Sequence, residues 1–336
     1  MKNVKKNTLI LFFITIIVLF FVLKDDFSNI VAELANANIF WIIVAILFMF
    51  LNWASKTNSM FYLAKKYKQD IKWWELFRQI LVTQFFCGIT PFSTGGEPMA
   101  IYMLKKSGLK IAHAGSVVLQ NFIMYQIVLV IYGILAVLLN VKYGLFDTNP
   151  LLRQIVILGF IINCLVAIGL FIIGFSKKTS KKLLKLFAKI GNKVKLIRDK
   201  EKFINKYENK LEEFHECANL FKKEKVMFLK IFVNNFFGMG VLYLIPLILL
   251  YSLGCYNNVD IITSLVCTAY VMIVSNFVPI PGASGGIEYG FLQFFGIFVL
   301  NPMLSTALII WRFITYYLGM ILGAILLNFN KGSVKE

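Results

Sequence analysis

Eight stretches of this chain are strongly apolar, and most approach or exceed the roughly 20 residues that an α-helix needs to cross a bilayer. Six are clear spans, at about 8–23, 39–63, 113–139, 151–175, 227–251 and 303–328. Two more, 74–104 and 261–299, are interrupted near their middle by proline and paired glycines. Soluble domains are about 45–50% apolar. The 59% hydrophobic content of this 336-residue chain therefore predicts an all-α, polytopic membrane protein.

Charge supplies the orientation. The net charge is +18, from 35 basic and 17 acidic residues. An excess of that size is one signature of nucleic-acid binding. Here the lysines sit at the ends of apolar segments, which is the positive-inside pattern, and no nucleic-acid partner is expected. Lys2, Lys5 and Lys6 place the N-terminus in the cytoplasm. The first apolar run lacks a small-x-small cleavage site and ends at Lys24, Asp25 and Asp26, so it reads as an uncleaved first helix. Lys65, Lys66, Lys68 and Lys72 mark an inside loop, and Lys105, Lys106 and Lys110 mark another. Both flanks of 74–104 are then inside, so that segment must enter and return. The same parity puts 176–226 inside and 252–260 outside, makes 261–299 a hairpin entering from outside, and leaves the C-terminus in the cytoplasm.

The expected organisation is a first helix and external connection over 1–38, then a first repeat over 39–175 with re-entrant hairpin 74–104. A basic loop over 176–226 follows, and a second repeat over 227–336 carries hairpin 261–299. The loop holds 16 Lys/Arg against 7 Asp/Glu. Leu183, Leu186, Phe187, Ile190, Val194 and Ile197 fall near one helical face, and Phe203, Tyr207, Leu211, Phe214 and Phe221 form a second pattern. Two readings stand: amphipathic helices on the anionic inner leaflet, or a solvated helical hairpin joining the halves. The five cysteines are scattered, and there are only two histidines, His113 and His215, so neither metal nor cofactor is expected.

The first break reads TPFSTGGEP (90–98) and the second VPIPGASGGIEYG (278–290). Pro91-Phe92-Ser93-Thr94-Gly95-Gly96 aligns with Pro281-Gly282-Ala283-Ser284-Gly285-Gly286, and a glutamate follows each, Glu97 at once and Glu288 one residue later. The match continues beyond the loops, since VLQNFIMY (118–125) aligns with IIWRFITY (309–316). Two such elements entering from opposite sides make an inverted repeat, an architecture that places substrate sites where broken helices meet.

Non-helical backbone is tolerated at membrane depth only where it is buried in protein or lines a wet cavity. The glycine pairs permit close approach and unusual dihedrals, and Pro98 suits the first turn of a new helix. The N–H groups at that start, with hydroxyls from Ser93, Thr94 and Ser284, make a small anion site. Two readings are open for Glu97 and Glu288: intramolecular helix caps, or cavity groups that hold a cationic headgroup or exchange a proton. Arg312 lies roughly 13 Å into the last span. It is either the ion-pair partner of Glu288 or the grip on a phosphate. Asn121 occupies the repeat-equivalent position. Arg78, at the mouth of the first hairpin, has the reach to snorkel. Gln84, Gln126, Asn163, Asn234, Asn235 and Asn276 suit interhelical hydrogen bonds.

The paired P-x-[SA]-[ST]-G-G…E motifs, LQNFIMY after the first and WRF after the second resemble the lysylphosphatidylglycerol synthase transmembrane-region family over roughly 8–328. That family includes the flippase half of the bacterial multiple peptide resistance factor. The resemblance implies lipid handling in the cytoplasmic membrane, with Gly95, Gly96, Glu97, Gly285, Gly286, Glu288 and Arg312 at characteristic positions. The family often carries an arginine where this chain has Asn121, so a symmetric two-arginine phosphate site is not implied.

The leading expectation is a lipid translocase acting on a phospholipid or polyprenyl-phosphate-linked lipid, with a separate synthase as a possible partner. The alternative is a phosphatidylglycerol lysyltransferase or its membrane subunit. It is disfavoured because no nucleophile–base pair stands out and only eight residues follow the last span, too few for a soluble synthase domain. A third reading is a membrane scaffold that docks a partner on the basic loop.

Overall fold

A computed structural model describes residues 27–146, 150–193, 224–275 and 278–329, with isolated positions between 201 and 212. The expected first span, Asn276 and most of the second amphipathic pattern lie outside the described residues. Within them all regular structure is helical. The elements are α1 (Phe27–Asn36), α2 (Ile39–Lys65), α3 (Trp73–Gly88), α4 (Gly96–Lys106), α5 (Ile111–Tyr143), α6 (Pro150–Phe175), α7 (Lys177–Lys193), α8 (Lys225–Ser252), α9 (Ile261–Ser275), α10 (Gly286–Phe295), α11 (Met303–Arg312) and α12 (Leu318–Phe329).

Four described helices are long and apolar enough to cross a membrane: α2, α5, α8 and the run Met303–Leu327. That run joins α11 and α12 through one π-helical turn at Phe313–Tyr317. These four coincide with the expected spans 39–63, 113–139, 227–251 and 303–328. The expected span 151–175 is filled by α6, whose apolar stretch Val156–Gly169 is shorter. One difference is α1, which occupies the segment expected as a plain connection. Its apolar residues Ile30, Val31 and Leu34 recur at helical spacing, and it packs against α11 with Ile30 buried.

The centre of the molecule is an antiparallel pair, α2 on α8. At one end Asn38 N–H donates to Ser252 O at 2.8 Å, and at the other Lys66 pairs with Glu224. Between them runs a polar seam. Asn52 Nδ2 donates to Gly238 O at 2.7 Å and Asn235 Nδ2 donates to Ser59 Oγ at 3.0 Å. Such bonds hold helices together where lipid tails offer no hydrophobic contrast. Gly238 allows the approach, since a Cβ there would lie 2.8 Å from Ser55 Cβ.

Two helical hairpins attach to opposite ends of this pair. α3 and α4 pack on each other, and their outer ends meet beside the Lys66 end. There Gln79 Nε2 donates to Ser107 Oγ and Lys68 Nζ to Ser107 O, both at 2.8 Å. α9 and α10 also pack together, with Asn258 Nδ2 donating to Phe298 O at 3.2 Å beyond the Ser252 end. The hairpin tips, Pro91–Ser93 and Pro281–Ala283, are in contact. α12 then lies along α3, where a Cβ at Gly323 would fall 2.2 Å from Leu81 O.

In the basic loop, α7 covers Leu183, Leu186, Phe187 and Ile190 of the first amphipathic pattern, and Val194 and Ile197 lie outside the described residues. Lys181 Nζ lies 2.9 Å from both Glu208 and Glu212, so these two residues sit beside α7.

Candidate functional site

The two breaks share a backbone as well as a sequence. Each is a single 3-10 turn opened by proline. Ser93 N–H donates to Thr90 O and Ala283 N–H to Ile280 O, at 3.2 and 2.9 Å. Left-handed φ values fall at matching positions: 52° at Phe92 and 65° at Gly282, then 55° at Ser93 and 52° at Ala283. A side chain in that region costs about 1–2 kcal/mol, so three of these four residues hold strained backbone. The breaks then diverge. Gly95 is right-handed at φ −79°, whereas Gly285 turns to φ 87°. Gly95 and Gly96 serve close packing instead, because Cβ atoms there would meet Thr90 Cγ2 at 2.7 Å and Cys87 Sγ at 2.3 Å.

That divergence gives the two glutamates different surroundings. Glu288 is the third residue of α10, the position from which a glutamate reaches back to cap its own helix. Gly285 N–H donates to its Oε2 at 2.7 Å. Its Oε1 lies 2.8 Å from Arg312 Nε, with both side chains almost fully buried. The Nε–H is not aligned for a hydrogen bond to that oxygen, so the contact is a close ion pair. Arg312 Nη2 donates to Gly282 O at 3.2 Å and approaches Ser284 Oγ at 3.5 Å. The guanidinium also lies 4.4 Å from the Tyr316 ring centroid. Arg312 thus reaches the second break from the last residue of α11, just before the π-helical turn.

Glu97 is the second residue of α4, one position short of the capping geometry, and its helix start has no side-chain cap. It faces a cavity of about 770 Å³ between the hairpin tips, α2 and α5. Ser93, Thr94, Gly96, Gly282, Ala283 and Asn121 also line it, as do Arg312 and Tyr316. Tyr316 spans the two breaks: its hydroxyl donates to Gly88 O at 2.8 Å, and its ring fills the space a Cβ on Gly282 would need, at 2.2 Å.

Of the expected site residues, Arg312, Glu97, Gly96, Ser93, Thr94 and Asn121 reach the cavity wall. Glu288, Ser284, Gly95, Gly285 and Gly286 lie behind it, building the turns that carry the wall. Gln84, Gln126, Asn163 and Asn235 also contribute to the lining. The lining also includes Lys56 and Asn52 on α2, both outside the expected set. Lys56 is about nine residues before Lys65, roughly 13 Å from the helix end at 1.5 Å per residue. The depth argument that singled out Arg312 applies to it equally, and the nearby Lys65–Lys72 cluster masks it in a simple count of charge. The cavity also carries buried acceptors without donors, Asn52 Oδ1 and Asn121 Oδ1.

The chain has relatives similar in sequence over most of its length. A UPF0104 membrane protein of Archaeoglobus fulgidus is 24% identical over 88% of this chain and 88% of its own length. The uncharacterized protein MG306 of Mycoplasma genitalium is 25% identical over 95% of this chain and 87% of its own length. Its homolog in Mycoplasma pneumoniae is 23% identical over 88% of this chain. The family model described as Lysylphosphatidylglycerol synthase TM region matches residues 8–323. With its apolar helices, that match makes the chain a multi-pass membrane protein belonging to the lysylphosphatidylglycerol synthase TM-region family.

Proposed function

We propose that the chain is a flippase-like lipid translocase of the cytoplasmic membrane, with both termini in the cytoplasm. It moves a phospholipid or a polyprenyl-phosphate-linked lipid, and a separate synthase is the partner that would supply the lipid. On this reading α3–α4 and α9–α10 are re-entrant hairpins of opposite orientation, related as an inverted repeat. The observation that carries the reading is the cavity at the touching hairpin tips, walled by Glu97, Lys56 and Arg312. Charged groups inside a bilayer are costly and concentrate on substrate and ion paths. Broken helices meeting at a midplane site are how many transporters build one.

Arg312, Glu97, Asn121, Ser93, Thr94 and Gly96 face the lipid headgroup, and Glu288, Ser284, Gly95, Gly285 and Gly286 hold that wall in shape. Purified protein reconstituted into vesicles with labelled phospholipids tests this. Movement above the empty-vesicle background is expected for at least one headgroup. Background rates across zwitterionic, anionic and cationic headgroups and a polyprenyl phosphate would sink it. Glu97→Gln is expected to keep the parent's thermal midpoint while slowing movement about tenfold or more, the loss of one charge-assisted contact.

A further inference from the structure

Among the described residues, two charged side chains in the cavity wall form no ion pair, and their signs are opposite. Lys56 projects from α2 and Glu97 from the start of α4. Neither appears in any of the ion pairs, whereas Arg312 and Glu288 neutralise each other at 2.8 Å. Lys56, Cys87 and Glu97 line the same cavity, so the two charges address one space. Nearby, Asn52 donates its Nδ2 to Gly238 O, which fixes the amide and leaves Oδ1 as a buried acceptor with no donor. Bare charges at such depth are retained where something of opposite charge reaches them.

We infer that Lys56 and Glu97 are the two poles of a headgroup subsite, so that the cavity takes a zwitterionic phospholipid with its phosphate on Lys56 and its ammonium on Glu97. The inference deepens the lipid-handling reading and rests on it. Asn52 Oδ1 is then a further acceptor for the ammonium or a headgroup hydroxyl. Met49, Met60, Leu119, Phe122, Val166 and Leu242 in the same lining suit acyl chains rather than a soluble ligand. An anionic lipid without an amine would leave Glu97 uncompensated, and a purely cationic one would leave Lys56 so. Arg312 borders the headgroup without being one of its poles: Glu288 balances its charge, and its Nη2 contacts fix the second break at Gly282 and Ser284.

Binding to the purified full chain in detergent tests this separately from movement. The probes are dioctanoyl phosphatidylethanolamine, dioctanoyl phosphatidylglycerol and chainless glycerophosphoethanolamine, titrated by native mass spectrometry. Phosphatidylethanolamine is expected to bind about tenfold tighter than either other probe, the scale of one charge-assisted hydrogen bond. Lys56→Gln should weaken both lipids about tenfold, with Lys56→Arg restoring most of the loss. Glu97→Gln should shift the preference about fivefold or more toward phosphatidylglycerol. A monodisperse Lys56→Gln protein that binds both lipids like the parent overturns the subsite, as does a parent with no preference for phosphatidylethanolamine. Equal binding of the chainless headgroup would assign the site to a soluble zwitterion and overturn the lipid. Binding without movement in vesicles would remove the translocase and leave the subsite standing.

Discussion

One residue of spacing decides what each glutamate does. An α-helix turns about 100° per residue, so Glu97 in the second helical position and Glu288 in the third project to different sides. Glu288 is drawn back to Gly285 N–H and to Arg312, and Glu97 is left in the cavity wall. The Arg312–Glu288 pair is almost fully buried, and removing one partner of such a pair strands a buried charge at about 3–5 kcal/mol. Glu288→Gln and Arg312→Met should each lower the thermal midpoint strongly, and the double variant by clearly less than the sum. Additive losses in that cycle would mean the two charges are not coupled. Arg312→Lys should not restore the parent, because one ammonium nitrogen cannot replace both the Nε contact to Glu288 and the Nη2 contacts to Gly282 O and Ser284 Oγ. Gly282→Ala should destabilise the second break, since its Cβ would sit 2.2 Å from the Tyr316 ring. Pairing it with Tyr316→Ala should recover part of the loss in a thermal-shift assay.

Helix packing depends on small residues at a few crossings. Gly319 and Gly323 fall four apart on α12, the spacing that lets helix backbones approach in membranes. A Cβ at Gly323 would strike Leu81 O of α3 at 2.2 Å, and one at Gly319 would press Trp53 and Gln84 at 3.1 and 3.3 Å. Gly323→Leu should therefore push α12 off the first hairpin, costing about 1–3 kcal/mol or more, read as a lower thermal midpoint. An unchanged midpoint would mean α12 does not lie against α3. The π-helical turn at Phe313–Tyr317 belongs to the same design. Such turns recur at functional sites, and this one lies between Arg312, at the second break, and α12, on the first hairpin.

The cavity exists only because two hairpins approach from opposite ends of the α2–α8 pair and touch at their tips. If α3–α4 and α9–α10 are re-entrant, their outer ends lie on opposite faces of the membrane. Single cysteines replacing Ser107 and Asn258, in a background without Cys87, Cys164, Cys217, Cys255 and Cys267, should label from opposite sides with a membrane-impermeant thiol reagent. Labelling from the same side would remove the inverted repeat.

The sequence determined the helical class, four of the expected spans and the two breaks. These follow from local rules: apolar runs of bilayer length, proline at the turn, and glycine where a Cβ has no room. It also carried the likeness of the two breaks, whose left-handed positions match at Phe92/Gly282 and Ser93/Ala283 before the backbones diverge at Gly95/Gly285. The capping role of Glu288 was readable from its helix position, and Lys56 from the depth rule applied to Arg312. Only the tertiary structure decided which charges neutralise one another and which stay open. That depends on side chains brought together across long sequence separations, Arg312 onto Glu288 and Lys56 into the wall that holds Glu97. Local pattern offered the Arg312–Glu288 pair as one of two readings and could not choose it, because burial and partner choice are set when the hairpin tips meet.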